Sequence, residues 1–375
     1  MQIGICGAGI MGRLTAWQLL KDGHEVTLFD KDPIDSGRAA SYSAAGMLSP
    51  YSEAEATEPL VFKLGVASLD LWSTLIKELK ADVHYHSGGT LVVAHSQDQG
   101  DFTRFSNIVR QRLSAETGDF KQLTQQQVAE LEPELVPPFQ QAMYMPNEAW
   151  LCCCCLMPAL ADALRAKKVR WFSGTEVLEA NPRQVTVKVR SGERHHDFDY
   201  VIDCRGLGAK QQLPELRGVR GELIWLRAPD VKINRLIRLM HPRYRLYIVP
   251  RRDDLYLIGA TQIESEDNRE ITVRSTLELL SAAYSIHPGF AEARIVKTDV
   301  NLRPALADNQ PKIIHQSGLL QVNGLFRHGY LMSPAIAKEV AGIIAQGDSY
   351  QSPFKGLLVK QPKTDEVARE RITHD

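Results

Sequence analysis

The sequence predicts a two-domain α/β (α+β) fold, with a parallel, doubly wound sheet in one domain and a mostly antiparallel sheet in the other. A chain of 375 residues has enough length for two or three domains of roughly 100–200 residues each. The chain opens on a strand, a helix and a strand at 3–8, 10–21 and 25–30, a βαβ unit typical of parallel sheets. Alternating apolar and polar residues predict the antiparallel strands, at 84–94, 222–228, 244–250 and 255–261.

The composition is that of a globular protein and excludes several classes. Hydrophobic residues make up 44% of the chain, and 44 basic side chains are balanced by 45 acidic ones. A net charge of −1 leaves no basic excess for binding nucleic acid or anionic lipid, so neither is expected as a partner. No apolar run reaches the ~20 residues of a membrane-spanning helix, and the N-terminus lacks the basic lead of a signal peptide. We therefore expect a cytoplasmic protein without a membrane span.

The six cysteines do not form the pattern of a disulfide framework. Four are consecutive, Cys152 to Cys155, while Cys6 and Cys204 lie far away in the sequence. The run is interpreted as small apolar residues that fill the first turn of a helix. A redox role stays open, because thiols at helix N-termini often have a lowered pKa. The spacing does not match the paired cysteines of structural zinc, and no metal site is predicted.

The other elements follow from hydrophobic period and turn residues. Leucines recur near the helical period over 59–80, which predicts a helix. Further predicted helices are 127–138 and 156–168, and further strands are 169–172, 185–190 and 199–203. Residues 319–346 predict a closing strand, turn and helix. The predicted domains are interleaved: 1–83, 145–212 and 302–375 form the first, and 84–144 and 213–301 the second.

The strongest motif is a dinucleotide fingerprint in the opening βαβ unit. Gly7, Gly9 and Gly12 form G-x-G-x-x-G between the first strand and the helix. Gly7 permits a tight turn, Gly9 lets the backbone approach a pyrophosphate, and Gly12 lets the helix lie close to the sheet. Asp30 ends the second strand, where an acid can bind the ribose hydroxyls. The pattern predicts a Rossmann-like domain.

Three features favour FAD over NAD as the dinucleotide. The fingerprint begins at residue 3, as in flavoproteins whose N-terminus binds adenosine. A second strand-to-glycine element, VIDCRGLG at 201–208, could close over the same cofactor. A late element, GLFRHGYLM at 324–332, precedes a helix whose N-terminus could face a flavin ring.

Several segments, in order along nearly the whole chain, resemble the glycine oxidase (ThiO) branch of the D-amino acid oxidase (DAO) family. They are GICGAGIMG, SYSAAGMLSP, LYIVPR, NLRPALADNQP and GLFRHGYLMSPA. The resemblance implies a flavoprotein with an FAD-binding domain and a substrate-binding domain. It implies oxidation of glycine, sarcosine or a small D-amino acid to the imino acid, with hydride passing from Cα to flavin N5. Oxygen (O2) would then reoxidise the flavin and give hydrogen peroxide.

The resemblance also implies a biological context. In thiamin synthesis, the imine of glycine supplies the thiazole ring. Members are often homo-oligomers. Relatives with covalent flavin attach it through a C-terminal cysteine, and no cysteine follows Cys204, so non-covalent FAD is expected.

The family's site residues can be carried onto matching positions. The adenosine and pyrophosphate part of FAD would contact Gly7, Gly9, Ile10, Met11, Gly12, Asp30 and Lys31, with the backbone of Val177 at the adenine. The flavin side would contact Ser41, Ala45, Gly46 and Met47, and the isoalloxazine would contact Arg327, His328, Gly329, Tyr330 and Leu331. The substrate and catalytic residues would be Arg303, Arg327 and Tyr247, with Arg245 where the family has a histidine. A cation at 245 would favour bulkier or acidic substrates.

The chemistry of the residues is compatible with these roles and leaves alternatives open. A guanidinium is the best ligand for an amino-acid carboxylate, but arginines also form structural ion pairs. Arg303 is predicted in a turn, L-R-P-A, while Tyr247 and Arg245 are predicted on one face of a strand. The acidic loop 51–58 is either an entrance lid or a solvated connector.

Two other functions remain open at this point. One is a dehydrogenase that acts on a D-amino acid, sarcosine or hydroxyproline and passes electrons to an acceptor other than oxygen. The other is a flavoprotein maturation factor that acts on a protein partner.

Overall fold

The structure is a computed structural model that describes residues 1–113, 119–135, 139–241 and 246–361. The described strands are β1 (Gln2–Cys6), β2 (Glu25–Phe29), β3 (Met47–Leu48), β4 (Thr90–Ala94), β5 (Lys121–Thr124), β6 (Gln141–Met145), β7 (Ala149–Trp150), β8 (Arg170–Phe172), β9 (Val177–Asn181), β10 (Gln184–Val189), β11 (Gly192–Asp197), β12 (Tyr200–Asp203), β13 (Arg217–Arg227), β14 (Leu236–Met240), β15 (Leu246–Pro250), β16 (Leu255–Gly259), β17 (Arg294–Ala305), β18 (Lys312–Gln316), β19 (Leu319–Asn323) and β20 (Leu358–Lys360). The described α-helices are α1 (Ile10–Lys21), α2 (Pro59–Leu79), α3 (Gln99–Arg112), α4 (Gln125–Leu131), α5 (Cys153–Ala166), α6 (Val273–Ile286) and α7 (Gly329–Gln346).

The chain divides into two compact units, each assembled from separated segments. The first unit comprises Met1–Tyr42, Met157–Gly218 and Arg303–Asp375. The second comprises Ser43–Leu156 and Val219–Leu302. This division differs from the predicted domain bounds at 43–83, 145–156 and 302, which fall in the second unit, and at 213–218, which falls in the first. The antiparallel pairing of β3 with β7 joins the segments 43–83 and 145–156 to each other.

The first unit is built on a seven-stranded, mostly parallel sheet in the order β20-β18-β19-β12-β1-β2-β8. The strand β1 lies between β12 and β2 and is parallel to both, with Ile3 opposite Tyr200 and Val26. The pair β18–β19 is antiparallel. The central strands are almost wholly buried and apolar, as in parallel sheets covered on both faces. Helices α1 and α7 pack against each other, and a separate sheet has the order β11-β10-β9.

The second unit is built on an eight-stranded sheet in the order β17-β13-β16-β15-β14-β4-β6-β5. The pair β14–β4 is parallel, while β13–β16, β15–β16, β14–β15, β4–β6 and β5–β6 are antiparallel. Side chains of β15 alternate between two apolar clusters. Ile248 packs with Leu279 and Ala283 of α6, and Tyr247 packs with Leu223 and Leu257 on the other face. The predicted fold class is confirmed by this combination of a mostly parallel and a mostly antiparallel sheet.

Several predicted elements have different bounds in the structure. The predicted strand 84–94 is shorter, Thr90–Ala94, because His84 has a positive φ of 48° and Gly89 one of 74°. The predicted helix 127–138 ends at Leu131, where Pro133 follows and disfavours helical backbone before it. Its last residues, 136–138, lie outside the described part of the chain. The helix predicted at 156–168 begins earlier, at Cys153, so three of the four consecutive cysteines are part of it.

Helix α2 has the length and apolar character of a membrane-spanning helix, although none was expected from the sequence. It has 21 residues, and its 18-residue window has a mean hydropathy of 1.3. Core helices of soluble proteins meet the same criterion, and seven residues of α2 are buried, including Leu64 and Trp72. Length and composition alone are therefore weak evidence for a membrane span.

Candidate functional site

The fingerprint glycines form a turn that accepts no larger residue at two of its positions. Gly7 follows β1 with a φ of +93°, and a Cβ atom there would lie 2.7 Å from the carbonyl oxygen of Cys204. A Cβ atom on Gly12 would lie 1.9 Å from the carbonyl oxygen of Gly7. These distances leave no room for a side chain. The tight turn and the close approach of the helix therefore both require glycine.

The N-terminus of α1 follows this turn and is suited to an anion. Gly9 is the N-cap residue in extended backbone, and it has no side chain of its own to cap the helix. The Ile10 amide donates to Ser41 Oγ at 2.9 Å. A Cβ atom on Gly9 would already lie 3.2 Å from the same oxygen, so glycine keeps the end of the helix open. Backbone N–H groups and the helix dipole both favour negative charge at such a position.

Asp30 lies directly beside the glycine turn. One carboxylate oxygen accepts from the Asp32 amide at 2.8 Å, and the other accepts from the Ala8 amide. These two bonds orient the carboxylate at the end of β2. The adjacent Lys31 is exposed.

A buried ion pair that sequence reasoning missed joins the glycine turn to Val177. The Arg205 guanidinium binds Asp203 at 2.7 and 2.9 Å, and their side chains are 8% and 0% exposed. The same guanidinium donates to the Val177 carbonyl at 3.0 Å. A Cβ atom on Gly7 would lie 2.9 Å from the Arg205 backbone. The element VIDCRGLG thus lies against the glycine turn. Its D-x-R spacing is the sequence signal from which the ion pair could have been predicted.

Two predicted substrate arginines are carried by chain segments that are hydrogen-bonded to each other. The Phe326 amide donates to the Pro304 carbonyl at 2.9 Å, so residues 303–304 and 326–327 are neighbours. Arg303 and Arg327 are both half-buried. Arg303 lies in the twelve-residue strand β17, not in a turn as predicted. The prediction failed because Pro304 was interpreted as a turn residue, whereas here it lies near the end of a strand.

The last predicted cofactor residues of the first unit lie at the start of α7. His328 is the N-cap residue, and Gly329, Tyr330 and Leu331 form the first turn. The Tyr330 hydroxyl donates to the Ser41 carbonyl at 2.7 Å. Since Ser41 Oγ also accepts from the Ile10 amide, one serine connects the starts of α1 and α7.

The second unit brings Tyr247 together with the loop Ala45–Met47. Tyr247 is 3% exposed and packs in one apolar cluster with Ala45, Met47 and Trp150. Its hydroxyl has no hydrogen-bond partner among the described residues. Gly46 has a φ of +67°, and a Cβ atom there would lie 2.1 Å from the Leu151 carbonyl oxygen. Arg245 lies outside the described residues.

Sequence reasoning also missed a buried polar cluster beside Tyr247. The Arg238 guanidinium lies 5.9 Å from the Tyr247 ring centre and binds Glu55 and the Ser52 carbonyl. Glu148 is fully buried and accepts from the Ser52 amide at 2.6 Å and the Ser52 hydroxyl at 2.8 Å. Burial raises the pKa of the Glu148 carboxyl to about 7.

The position of this cluster corrects the interpretation of the loop 51–58. The loop was expected to be a lid or a solvated connector. Ser52 is 0% and Glu53 is 3% exposed, and the polar groups of Ser52 bond to Glu148 and Arg238 inside the second unit.

Comparison with known proteins identifies the family. The model of the DAO family, described as FAD dependent oxidoreductase, matches residues 2–343. A Rhizobium etli protein named as a thiamine biosynthesis oxidoreductase, ThiO, is 40% identical over 341 residues, covering 91% of this chain and 95% of that protein. Glycine oxidase of Geobacillus kaustophilus is 27% identical over 370 residues, covering 92% of this chain and 93% of that enzyme. The crystal structure of glycine oxidase from that organism covers 94% of this chain and 97% of its own, with a TM-score of 0.81 and 26% identity.

The family match spans both units, and it agrees with the fingerprint turn and with the combination of sheets. The chain therefore belongs to the DAO family of FAD-dependent oxidoreductases, and it is an enzyme of the glycine oxidase/ThiO type.

Proposed function

We propose that this enzyme oxidises glycine or another small amino acid to the imino acid, and that oxygen is its electron acceptor. The observation that carries the proposal is the hydrogen bond between Phe326 and Pro304, which makes neighbours of the segments bearing Arg303 and Arg327. Two guanidinium groups on adjoining segments are suited to bind one small carboxylate. The names of the relatives give the substrate class: glycine oxidases among them share most of their length with this chain.

The residues of the first unit fit FAD. The open N-terminus of α1, with glycine at its N-cap, would hold the pyrophosphate, and the Asp30 carboxylate would bind the ribose. Ser41 and the first turn of α7 would hold the flavin end, since Tyr330 and Ile10 both bond to Ser41. When bound there, FAD would supply the two-electron oxidation chemistry, with the substrate Cα as the hydride donor.

The chain's own contribution to the reaction is binding and orientation. Arg303 would bind the substrate carboxylate with two parallel N–H donors, and Arg327 would add a second positive charge. The Tyr247 hydroxyl, which has no partner among the described residues, is proposed as a further donor to substrate. No general base is needed for a hydride transfer from a neutral amine, so the residues required are those that position the substrate.

We further propose that the imine product supplies thiamine biosynthesis. The support is the name of the Rhizobium etli relative, at 40% identity over nearly the whole of both chains. A cytoplasmic location, a non-covalent cofactor and a homo-oligomeric state remain proposals of the same kind.

The proposal is tested by adding candidate substrates to the purified holoprotein without oxygen. Glycine, sarcosine, D-alanine and D-proline are added separately, and the flavin absorbance is followed before and after air is admitted. We expect at least one of them to bleach the flavin, and air to restore it with release of hydrogen peroxide. Bleaching without rapid recovery in air would replace oxygen with another acceptor. A flavin that none of them bleaches would contradict the proposed substrate class.

A further inference from the structure

The four consecutive cysteines lie at the N-terminus of a helix, and the first and last of them have the C-x-x-C spacing of redox-active dithiols. Cys152 immediately precedes α5, and its carbonyl accepts from the Leu156 amide at 2.9 Å, as an N-cap residue does. The Cys155 amide donates to the same carbonyl at 3.1 Å. Cys152 and Cys155 are therefore the ends of a C-x-x-C segment wound around the first turn of α5. Residues three apart on a helix are neighbours on its surface.

The four cysteines are close in the first turn of α5 and differ in their exposure to solvent. The thiols of Cys154 and Cys155 are near enough to Cys152 to influence its pKa. All six cysteines are reduced; Cys154 is exposed and Cys155 is half-buried, while Cys152 is 8% and Cys153 is 3% exposed. Filling of apolar space accounts for the buried Cys153 but not for the exposed Cys154 or the half-buried Cys155. Among the described residues, no three histidine, cysteine or acidic side chains are arranged to hold a metal ion.

Positive charge faces this cluster. The Arg251 guanidinium donates to the Ala45 carbonyl at 2.5 Å and to the Pro250 carbonyl at 3.1 Å, and its charge acts on all four thiols. Lys297 adds a positive charge near Cys154. Arg252 and Asp82 lie near Cys155, and their opposite charges have opposite effects on its pKa.

The charges and the hydrogen bonds affect the two ends of the C-x-x-C segment differently. The neighbouring thiols and the Arg251 charge lower the pKa of Cys152, while burial raises the pKa of Cys155. Together with the position of Cys152 at the N-terminus of α5, these directions favour Cys152 over Cys155 as the attacking thiol.

The cysteine turn is also attached to the loop Ala45–Met47. The Leu151 amide donates to the Gly46 carbonyl at 2.9 Å, which continues the pairing of β3 with β7. A Cβ atom on Gly46 would lie 3.0 Å from the Cys153 sulfur. A conformational change at the cysteines would therefore alter the position of the loop Ala45–Met47, which we assign to the flavin side.

We propose that Cys152 and Cys155 form a dithiol that hydrogen peroxide oxidises to an intramolecular disulfide. The Cys152 thiolate attacks one oxygen of the peroxide; the O–O bond breaks, and the leaving hydroxide takes up a proton to become water. The Cys155 sulfur then attacks the sulfenic acid on Cys152. The S–S bond forms as the S–O bond breaks, and the Cys155 proton leaves with the hydroxide as a second water. The two thiols lose two electrons, the peroxide is reduced to two waters, and an external dithiol reverses the oxidation.

The inference does not depend on which substrate the enzyme oxidises, because the peroxide is added directly in its test. The holoprotein is exposed to a small molar excess of hydrogen peroxide, the remaining thiols are alkylated, and tryptic peptides are analysed by mass spectrometry. All four cysteines fall in one tryptic peptide, without Cys6 or Cys204, since no lysine or arginine lies between 122 and 164. We expect this peptide to lose two hydrogen atoms and two alkylation sites, and dithiothreitol to restore both sites.

Two variants distinguish the C-x-x-C pair from its neighbours. Cys155→Ser is expected to lower the yield of disulfide by about tenfold and to leave a sulfenic acid on Cys152 that dimedone traps. Cys154→Ser, which removes the most exposed thiol, is the matched control and is expected to keep the disulfide.

Three results would overturn the proposal. One is a wild-type peptide that keeps all four alkylation sites after peroxide. Another is loss of the disulfide in Cys154→Ser with retention in Cys155→Ser, which would assign the chemistry to another pair. The third is a disulfide that dithiothreitol cannot reduce in the native holoprotein. The flavin absorbance, recorded in each sample, shows that the fold and cofactor are intact.

Discussion

Glu148 is a fully buried carboxyl in the second unit whose ordinary pKa of 4.5 is raised to about 7, mainly by burial. Because the folded state binds this proton more tightly than the unfolded state, its contribution to stability is complete below pH 4.5 and is lost as the pH rises toward 7. Glu148→Gln should remove this dependence, since glutamine does not titrate. We expect the wild-type melting temperature to fall relative to that of the variant from about pH 5 to about pH 7.

The measurement is a series of thermal melts of both proteins across that range. Glu130→Gln, the same change at an exposed position of α4, is the control and should keep the wild-type pH dependence. Parallel pH profiles for wild type and Glu148→Gln would contradict the assigned pKa.

Arg303 is the residue on which the proposed substrate binding depends most. Arg303→Ala removes a charged donor pair, and hydrogen bonds to charged groups contribute about 1.5–3 kcal/mol each. We therefore expect the KM of the best amino-acid substrate to rise roughly 100-fold or more, with the bound FAD spectrum unchanged. The matched control is Arg294→Ala, because Arg294 is an exposed arginine at the other end of the same strand. Equal KM values in the two variants would remove Arg303 from the site.

The residues of the candidate site were predictable to different degrees. Gly7, Gly9, Gly12 and Asp30 follow from spacing, because the fingerprint is a local pattern within one βαβ unit. Arg303 and Tyr247 needed the family resemblance in addition. The hydrogen bond between Arg205 and Val177 could not be predicted from the sequence. It joins residues 28 apart, and their contact depends on the folding of β9 against β12.

The element that the fingerprint specifies is the open N-terminus of α1. Gly9→Val would place a branched side chain at the N-cap, where a Cβ atom alone lies 3.2 Å from Ser41 Oγ. We expect FAD affinity to fall by about 100-fold or more, because the side chain would cover the helix N-terminus that we assign to the pyrophosphate. Gly100→Val is the control, since nothing lies within 4 Å of a Cβ atom at that helical glycine.

Fluorescence titration of the apoproteins with FAD measures both affinities. A Gly9→Val protein that binds FAD as tightly as Gly100→Val would refute the placement of the pyrophosphate. Gly12→Ala is a poorer test, because its Cβ atom would lie 1.9 Å from a backbone oxygen and would disturb the fold itself.

Element bounds were predicted well where a pattern was long and less well where turns intervened. The helix predicted over 59–80 is observed at Pro59–Leu79, and the strand predicted over 199–203 at Tyr200–Asp203. The helices Gln99–Arg112 and Val273–Ile286 were missed, although Thr272 caps the second helix by accepting from the Ser275 amide and was an available sequence signal. The strand Arg294–Ala305 was also missed, since only its last residue, Ala305, is buried and the strand lacks a buried alternating face.

At the scale of the whole molecule, the first unit is assembled from three separated segments of the chain. A cofactor that contacts all three should stabilise the folded state, by about 2.7 kcal/mol when free FAD is 100 times its Kd. We expect the deflavinated protein to melt at a lower temperature than the holoprotein and FAD to restore the difference.

A separate experiment tests how the flavin is attached to the protein. Acid precipitation of the holoprotein should release all of the FAD into the supernatant, because no cysteine follows Cys204 to attach it covalently. A yellow precipitate would contradict non-covalent binding.

In the melting experiment, identical curves with and without FAD would contradict the assignment of the cofactor to all three segments.

The sequence by itself determined the class of fold and the position of the dinucleotide turn. Both depend on short-range patterns: period-two and helical repeats of apolar residues, and glycines at positions where a Cβ atom has no space. Only the tertiary structure decided which distant groups meet. Tyr330 bonds to Ser41 across 289 residues, and Arg238 binds Ser52 across 186. It also decided which thiols of the cysteine run are buried and which face solvent, because burial and charge at a residue are set by neighbours that sequence spacing does not specify.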